Sequence, residues 1–300
     1  MNNIKLSESL QVSPIIHGHW RLFDWGLSLQ EILTLTQKTI ELGVTTFDHA
    51  DIYGNYECEE LFGNVLNLKK GHRKDIQIIT KCGIKLLSDK YPHRNFKTYD
   101  YSYSHIINSV ENSLKNLNTD YIDLLLLHRP SPFFDPNEVS KAFSQLKKSG
   151  KVLNFGVSNF NPEQFDMLNS YCEDKLVTNQ VEISPLCLEH FENGNINHFL
   201  KERIVPMAWS PLAQGKVFSP SNDQENRVNN CMLQIADELG VNSLDKVAYS
   251  WLLSHPTSII PIVGSGKIER IKNAVDSLNI KMSTEQWLRI YNASSGVELP

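Results

Sequence analysis

Eight short runs rich in β-branched residues alternate with stretches of helical periodicity. Several of these runs are continuously apolar, as strands buried on both faces must be. The chain has 300 residues, 41% of them apolar, enough for the core of one large unit. These observations predict an α/β fold, a (β/α)8 TIM barrel with an N-terminal hairpin and extra helices near the C-terminus.

The elements follow in order. Residues 1–12 precede the first strand and are expected to form a hairpin that plugs the barrel's base. The predicted strands cover 14–18, 45–48, 76–81, 121–127, 153–157, 177–181, 204–209 and 259–263. Between the first two, 28–42 opens on Ser28 as an N-cap, carries Leu29, Ile32, Leu33 and Ile40 on one face, and stops at Gly43. Segments 103–117 and 136–148 have similar spacing, the latter with proline in its first turn and Gly150 after it. Segment 227–239 ends at Gly240, and 284–291 is the last predicted helix. Two intervals, 82–102 and 210–258, are too long for simple connections; the second has room for two helices. Both follow strands, so both belong to the face where barrel enzymes carry their sites. No linker or low-complexity segment interrupts 1–300, which reads as one domain.

Composition narrows the function. Net charge is −5, with no basic stretch suited to nucleic acid. No apolar run approaches the ~18 residues of a membrane span. Residues 1–9 lack the pattern of a signal peptide, so a cytoplasmic location is expected. The five cysteines, Cys58, Cys82, Cys172, Cys187 and Cys231, are scattered without a CxxC pair; neither a disulfide framework nor a metal site is expected.

Just beyond the strand ends stand four ionisable side chains of different chemistry: Asp48, Tyr53, Lys81 and His128. Singly, Asp48 reads equally well as a helix cap, Tyr53 as a loop aromatic, Lys81 as a solvated strand end and His128 as a loop-bonded imidazole. Together they make an acid. A phenol with an ordinary pKa of about 10 is a poor proton donor near neutrality. A neighbouring ammonium is expected to lower that value, and a carboxylate to pair the buried ammonium. The histidine can then hold a substrate oxygen close to the phenol.

The segment from Gly43 to Gly54, GVTTFDHADIYG, resembles the signature GxxxFDxAxxYG of the aldo-keto reductase family, in its bacterial-type branch. Leu127-His-Arg-Pro130, Gly156-Val-Ser-Asn-Phe160, Asn179-Gln180 and the stretch from Trp209 to Gly215 resemble it too, in the expected order. The resemblance runs from about residue 12 to 275. It implies NADPH-dependent reduction of aldehydes and ketones, with Tyr53 as proton donor, Asp48 and Lys81 tuning it, and His128 orienting the carbonyl. It implies further that Ser158, Asn159 and Gln180 bind the carboxamide of NADPH (NADP+), that Trp209 stacks on its nicotinamide where the family more often has tyrosine, and that Ser210 and Leu212 contact its pyrophosphate.

No GxGxxG follows an early strand, so the cofactor needs another cradle. After the eighth strand, Gly264, Ser265 and Gly266 open a helix whose first amides can face an anion, and Lys267 and Arg270 add positive charge. The 2′-phosphate of NADPH is expected there. Ala274 stands where the family often places a polar adenine contact. Trp20 and Arg129 are expected to line the substrate pocket, with Phe23 and Trp25 nearby. A short tail after the last helix predicts an open pocket. Two alternatives keep the same barrel: a Schiff-base aldolase using Lys81, and a non-catalytic, redox-sensing accessory subunit that binds cofactor. The resemblance implies a monomer acting on a small carbonyl substrate; composition leads one to expect no nucleic acid, membrane or metal.

Overall fold

The computed structural model of the chain describes residues 2–68 and 71–299. A hairpin of β1 (Ile4–Ser7) and β2 (Leu10–Val12) leads into β3 (Ile16–Gly18), α1 (Leu29–Glu41), β4 (Thr46–Asp48), the short α2 (Tyr53–Tyr56) and α3 (Cys58–Leu68). Next come β5 (Gln77–Cys82), a small hairpin of β6 (Ile84–Lys85) and β7 (Thr98–Tyr99), α4 (Tyr103–Asn116), β8 (Leu124–Leu127), α5 (Pro136–Lys148), β9 (Phe155–Ser158) and α6 (Pro162–Tyr171). The remainder is β10 (Asn179–Glu182), α7 (Glu189–Glu192), α8 (Asn195–Glu202), β11 (Met207–Trp209), α9 (Asp223–Leu239), α10 (Leu244–Leu253), β12 (Ile260–Val263), α11 (Ile268–Asp276) and α12 (Thr284–Ser295). β3, β4, β5, β8, β9, β10, β11 and β12 form one closed barrel in that order.

All eight predicted strands form, each trimmed or displaced at its ends. The largest trims, three residues each, are in 204–209, where Met207–Trp209 is strand, and in 121–127, where Leu124–Leu127 is strand and Ile122 meets Val152 in an isolated bridge. α9 begins at Asp223, before the predicted 227, because the Asn222 side chain accepts a bond from the Glu225 amide. The polar first turn has no apolar periodicity by which to announce itself. α12 continues to Ser295, where Gly296 takes a left-handed conformation.

The described residues fall into two compact units, Met1–Asn179 with Gly264–Ile268, and Gln180–Val263 with Glu269–Pro300. In the first, β3 and β4 pair in parallel with Ile16 opposite Thr46, His17 opposite Phe47 and Gly18 opposite Asp48. Alternation along a strand then separates two layers. Phe47 joins Ile32, Leu33, Phe62 and Val65 in the apolar layer beneath α1 and α3, and His17 shares its face. Thr46 and Asp48 point the other way, into the barrel. The N-terminal hairpin covers the opposite end, as expected: Val12 is fully buried, and the Ser7 and Ser9 hydroxyls donate to Asn154 Oδ1 just ahead of β9.

In the second unit, Trp251 of α10 and Trp287 of α12 stack 4.8 Å apart, and each indole N–H donates to the other residue's carbonyl. Trp251 is thereby fully buried, and Trp287 half-buried, without stranding either indole donor.

Candidate active site

Lys81 is the centre of the site. Its side chain is 1% exposed, and its ammonium donates to Asp48 Oδ1 and Oδ2 at 2.8 Å, to the His49 carbonyl at 2.8 Å and to Tyr53 Oη at 2.9 Å. An ammonium has three protons. One is shared by the two carboxylate oxygens, one goes to His49 and one to the phenol oxygen. The phenol's own proton is thus not spent on Lys81. β4 and β5 lie side by side with Asp48 opposite Ile79, so two in-pointing side chains two residues apart in register meet across the ladder.

Tyr53 reaches this point through a tight turn. Gly54, Asn55 and Tyr56 all have positive φ, at 56°, 55° and 69°. A Cβ on Gly54 would lie 2.6 Å from Cys58 Sγ, so the turn needs both the left-handed backbone and the missing side chain. The His128 ring stands edge-on to Tyr53, with centroids 5.8 Å apart.

The electrostatics correct one expectation. Burial pushes the Tyr53 phenol above its ordinary range, and the nearby Lys81 charge offsets this only in part. The resting phenol therefore keeps its proton. Lys81 itself is held above the usual lysine value: burial works against the ammonium, but Asp48 and Tyr53 outweigh it. Burial, then Lys81, Arg129 and Lys97, drive His128 well below the ordinary imidazole value, so it is neutral near pH 7. Its Nδ1 has no hydrogen-bond partner.

The other expected site residues distribute as follows. In the first unit, Ser158 is buried, and its Oγ accepts from Asn159 Nδ2 at 2.7 Å. Asn159 has a φ of 62°, and its amide reaches the His128 carbonyl at 3.5 Å. Gly264 and Lys267 are exposed and Ser265 is buried, its Oγ accepting from the Lys267 amide. Arg129 is held by Tyr101, whose hydroxyl donates to the Arg129 carbonyl and accepts from its amide at 3.1 Å. Trp20 is half exposed, with the Arg21 guanidinium 5.1 Å from its ring. Trp25 stacks on His17 with ring centroids 5.5 Å apart. In the second unit, Gln180 is buried within β10, Trp209 ends β11, Ser210 has a φ of 50°, Leu212 is half-buried and Arg270 is exposed. Asn273, beside Ala274, donates to Asp245. Left-handed non-glycine residues such as Asn159 and Ser210 are costly and gather at functional sites.

Sequence reasoning passed over His17, His19 and Tyr101. The alternation His17-Gly18-His19 at the end of a predicted strand was the available signal for the first two. Among the described residues, no group of three or more His, Cys, Asp or Glu could hold a metal ion, and no helix is long and apolar enough to cross a membrane.

The profile of the aldo/keto reductase family matches residues 14–294, and the chain belongs to that family. It is an oxidoreductase of the family's barrel fold. It is 52% identical to the uncharacterized oxidoreductase YcsN of Bacillus subtilis, over the whole of both chains. It is 40% identical to a 6-dehydroglucose reductase of Agrobacterium fabrum, again over both full lengths. In fold it is similar to the thermostable aldo-keto reductase Tm1743, solved with the inhibitor epalrestat, at a TM-score of 0.80 and 24% identity, covering 98% of this chain and 99% of that one.

Proposed function

We propose that the protein is a cytoplasmic, NADPH-dependent carbonyl reductase that converts aldehydes and ketones to alcohols with Tyr53 as the proton donor. The observation that carries this reading is the Lys81 ammonium, fixed by Asp48 and donating to the phenol oxygen at 2.9 Å. The five free cysteines fit a reducing compartment.

The residues present fit a nicotinamide dinucleotide. Gly264 leaves open space where a Cβ would stand, the nearest other atom being the Gly18 carbonyl oxygen at 3.9 Å. Amides that open a helix suit a phosphate, and Lys267 and Arg270 are both exposed cations that could pair with one. In this reading Gly264, Ser265, Lys267 and Arg270 hold the phosphates, Ser158, Asn159 and Gln180 the carboxamide, Trp209 the nicotinamide face, and Ser210 and Leu212 the pyrophosphate. The bound cofactor supplies the hydride.

The chain's own residues manage the proton. The substrate oxygen accepts hydrogen bonds from the Tyr53 hydroxyl and from neutral His128. As the carbonyl carbon gains a hydride, its oxygen becomes negative and takes the phenolic proton, giving the alcohol. The phenolate left behind is met at once by the Lys81 ammonium, whose place is already set. Burial raises the cost of the phenolate in the resting enzyme, so the proton leaves only when an oxyanion calls for it. Trp20 and Arg129 border the substrate. The 6-dehydroglucose reductase relative supports a sugar aldehyde among the substrates.

NADPH oxidation with 4-nitrobenzaldehyde, for wild type and Tyr53→Phe, tests the reading. Tyr53→Phe is expected to lose turnover by about 10²-fold or more while NADPH binding persists. A variant that turns over like wild type removes Tyr53 from the mechanism. Arg270→Ala should raise the Michaelis constant for NADPH more than that for NADH; an unchanged ratio takes Arg270 away from the 2′-phosphate.

A further inference from the structure

Three fully buried histidines, His49, His19 and His17, form a continuous hydrogen-bonded chain in the layer outside the barrel. His49 Nε2 lies 2.9 Å from His19 Nδ1, His19 Nε2 lies 3.3 Å from His17 Nδ1, and His17 Nε2 lies 3.0 Å from the Ser265 carbonyl oxygen. Consecutive rings meet edge to face at 4.5 and 4.6 Å.

The protonation pattern follows from one fixed end. Burial holds His17 down to about 4, and His19 and His49 well below the ordinary imidazole value, so each ring is neutral and carries one N–H. The Ser265 carbonyl can only accept, which places the His17 proton on Nε2. His17 Nδ1 must then accept from His19 Nε2–H, and His19 Nδ1 from His49 Nε2–H. Three protons serve three bonds and leave His49 Nδ1 as a bare acceptor. That atom is the one lacking a partner.

Both ends of this directed chain abut functional loops. His49 follows Asp48, and its carbonyl accepts from Lys81. At the other end, the loop Gly264–Ile268 rests on side chains from the first strand and its loop. His17 holds the carbonyl of residue 265, and the Trp25 ring lies under residue 266, where a Cβ on Gly266 would come within 2.8 Å of the indole. Apolar side chains would fill this layer without orienting anything. A donor at His17 Nε2 pairs with the Ser265 carbonyl and so favours one facing of that peptide.

We propose that His17, steered by His19 and His49, is a positioning residue for the cofactor-phosphate loop: it turns the Ser265 carbonyl inward and so presents the amides that follow to the dinucleotide's phosphate. This rests on the cofactor reading given above.

The test uses wild type, His17→Phe and His17→Gln, titrated with NADPH and with reduced nicotinamide mononucleotide, which lacks the adenylate half. His17→Phe keeps a ring against Trp25 but cannot donate; His17→Gln restores an N–H near the Nε2 position. We expect His17→Phe to weaken NADPH binding roughly 5- to 10-fold, as loss of one neutral hydrogen bond implies. Mononucleotide binding and turnover at saturating NADPH should stay within about twofold of wild type, and His17→Gln should recover most of the NADPH affinity. NADPH binding unaffected in His17→Phe, or mononucleotide binding lost by the same factor, overturns the proposal while leaving the cofactor reading intact. Wild type that binds neither NADPH nor NADH overturns the cofactor reading, and the positioning role with it. Should His17→Phe not fold, long-range proton–nitrogen spectra of ¹⁵N-histidine wild type decide: all three rings must be Nε2–H tautomers, and an Nδ1–H tautomer at His17 or His19 overturns the chain.

Discussion

Asp48 and Asp51 stand three residues apart on the same strand-to-helix connection, and their neighbours differ in sign. Asp48 meets the Lys81 ammonium at 2.8 Å through both oxygens. Asp51 has no such partner: the Ser109 hydroxyl donates to its Oδ2 at 2.8 Å, and its Oδ1 has no hydrogen bond. Burial first, and then the carboxyl of Glu59, push Asp51 up to about 8. Burial lifts Glu59 to about 7, although the Thr80 hydroxyl donates to it at 2.5 Å. Burial taxes every carboxylate alike; the charge of the neighbour decides whether the group is a buried ion or a proton store. One pair anchors the acid of the site; in the other both carboxyls hold their protons more tightly than an exposed acid does.

Removing the cation tests the first half of that contrast and carries the largest effect. Lys81→Met leaves Asp48 buried without its counter-charge, which costs on the order of 3–5 kcal/mol. It also removes the stabiliser of the phenolate, so turnover should fall by roughly 10²-fold or more. Urea unfolding and aldehyde turnover measure both, and wild-type stability in the variant would remove the distinction between the two acids.

Asp51→Asn should act in the opposite sense, through pH. With a folded value near 8 and an unfolded one near 4, wild-type Asp51 binds its proton more tightly when folded. Its contribution to stability is present below about pH 4 and is lost as pH rises toward 8, by about 1.4 kcal/mol per pH unit. The asparagine variant escapes that loss, so its stability relative to wild type should climb steadily across that window. The buried imidazoles pull the other way: His17, held near 4 against about 6.5 unfolded, adds stability as pH rises between those values. A difference between variant and wild type that stays flat from pH 4 to 8 would show that Asp51 is ionised in the folded protein.

Glu59→Gln gives the smallest effect, over the narrower interval from about 4.5 to 7. The amide keeps an acceptor for Thr80, and loss of the like charge should bring the Asp51 midpoint down. A carboxyl-specific infrared titration of the variant reads that shift directly; an unmoved Asp51 band would mean that the two carboxyls do not feel each other.

Much of the fold was legible because barrel strands are apolar on both faces and their helices carry explicit caps. Ser28, read as the cap of α1, forms a reciprocal pair with Glu31; the similar pair of Asn161 and Gln164 that begins α6 is a finding of the structure. Ends were less legible where the polar first turn of α9 offered no periodicity. At the site, Asp48, Tyr53, Lys81 and His128 could be picked out because each lies at or just past a strand end. The histidine chain could not, because a buried histidine in sequence looks like any other half-polar residue until its partners are known. Tyr101 was hidden for the same reason: its two bonds reach 28 residues along the chain.

Local pattern by itself determined the eight strands, five of the helices and the residue types at the barrel's mouth, since periodicity and capping are properties of neighbours in sequence. Tertiary structure alone decided how strongly each group holds its proton. The reading from residue types had the ammonium lowering the phenol; the folded chain buries the phenol deeply enough to raise it instead. Desolvation depends on everything packed around an atom, and no window of sequence contains that information.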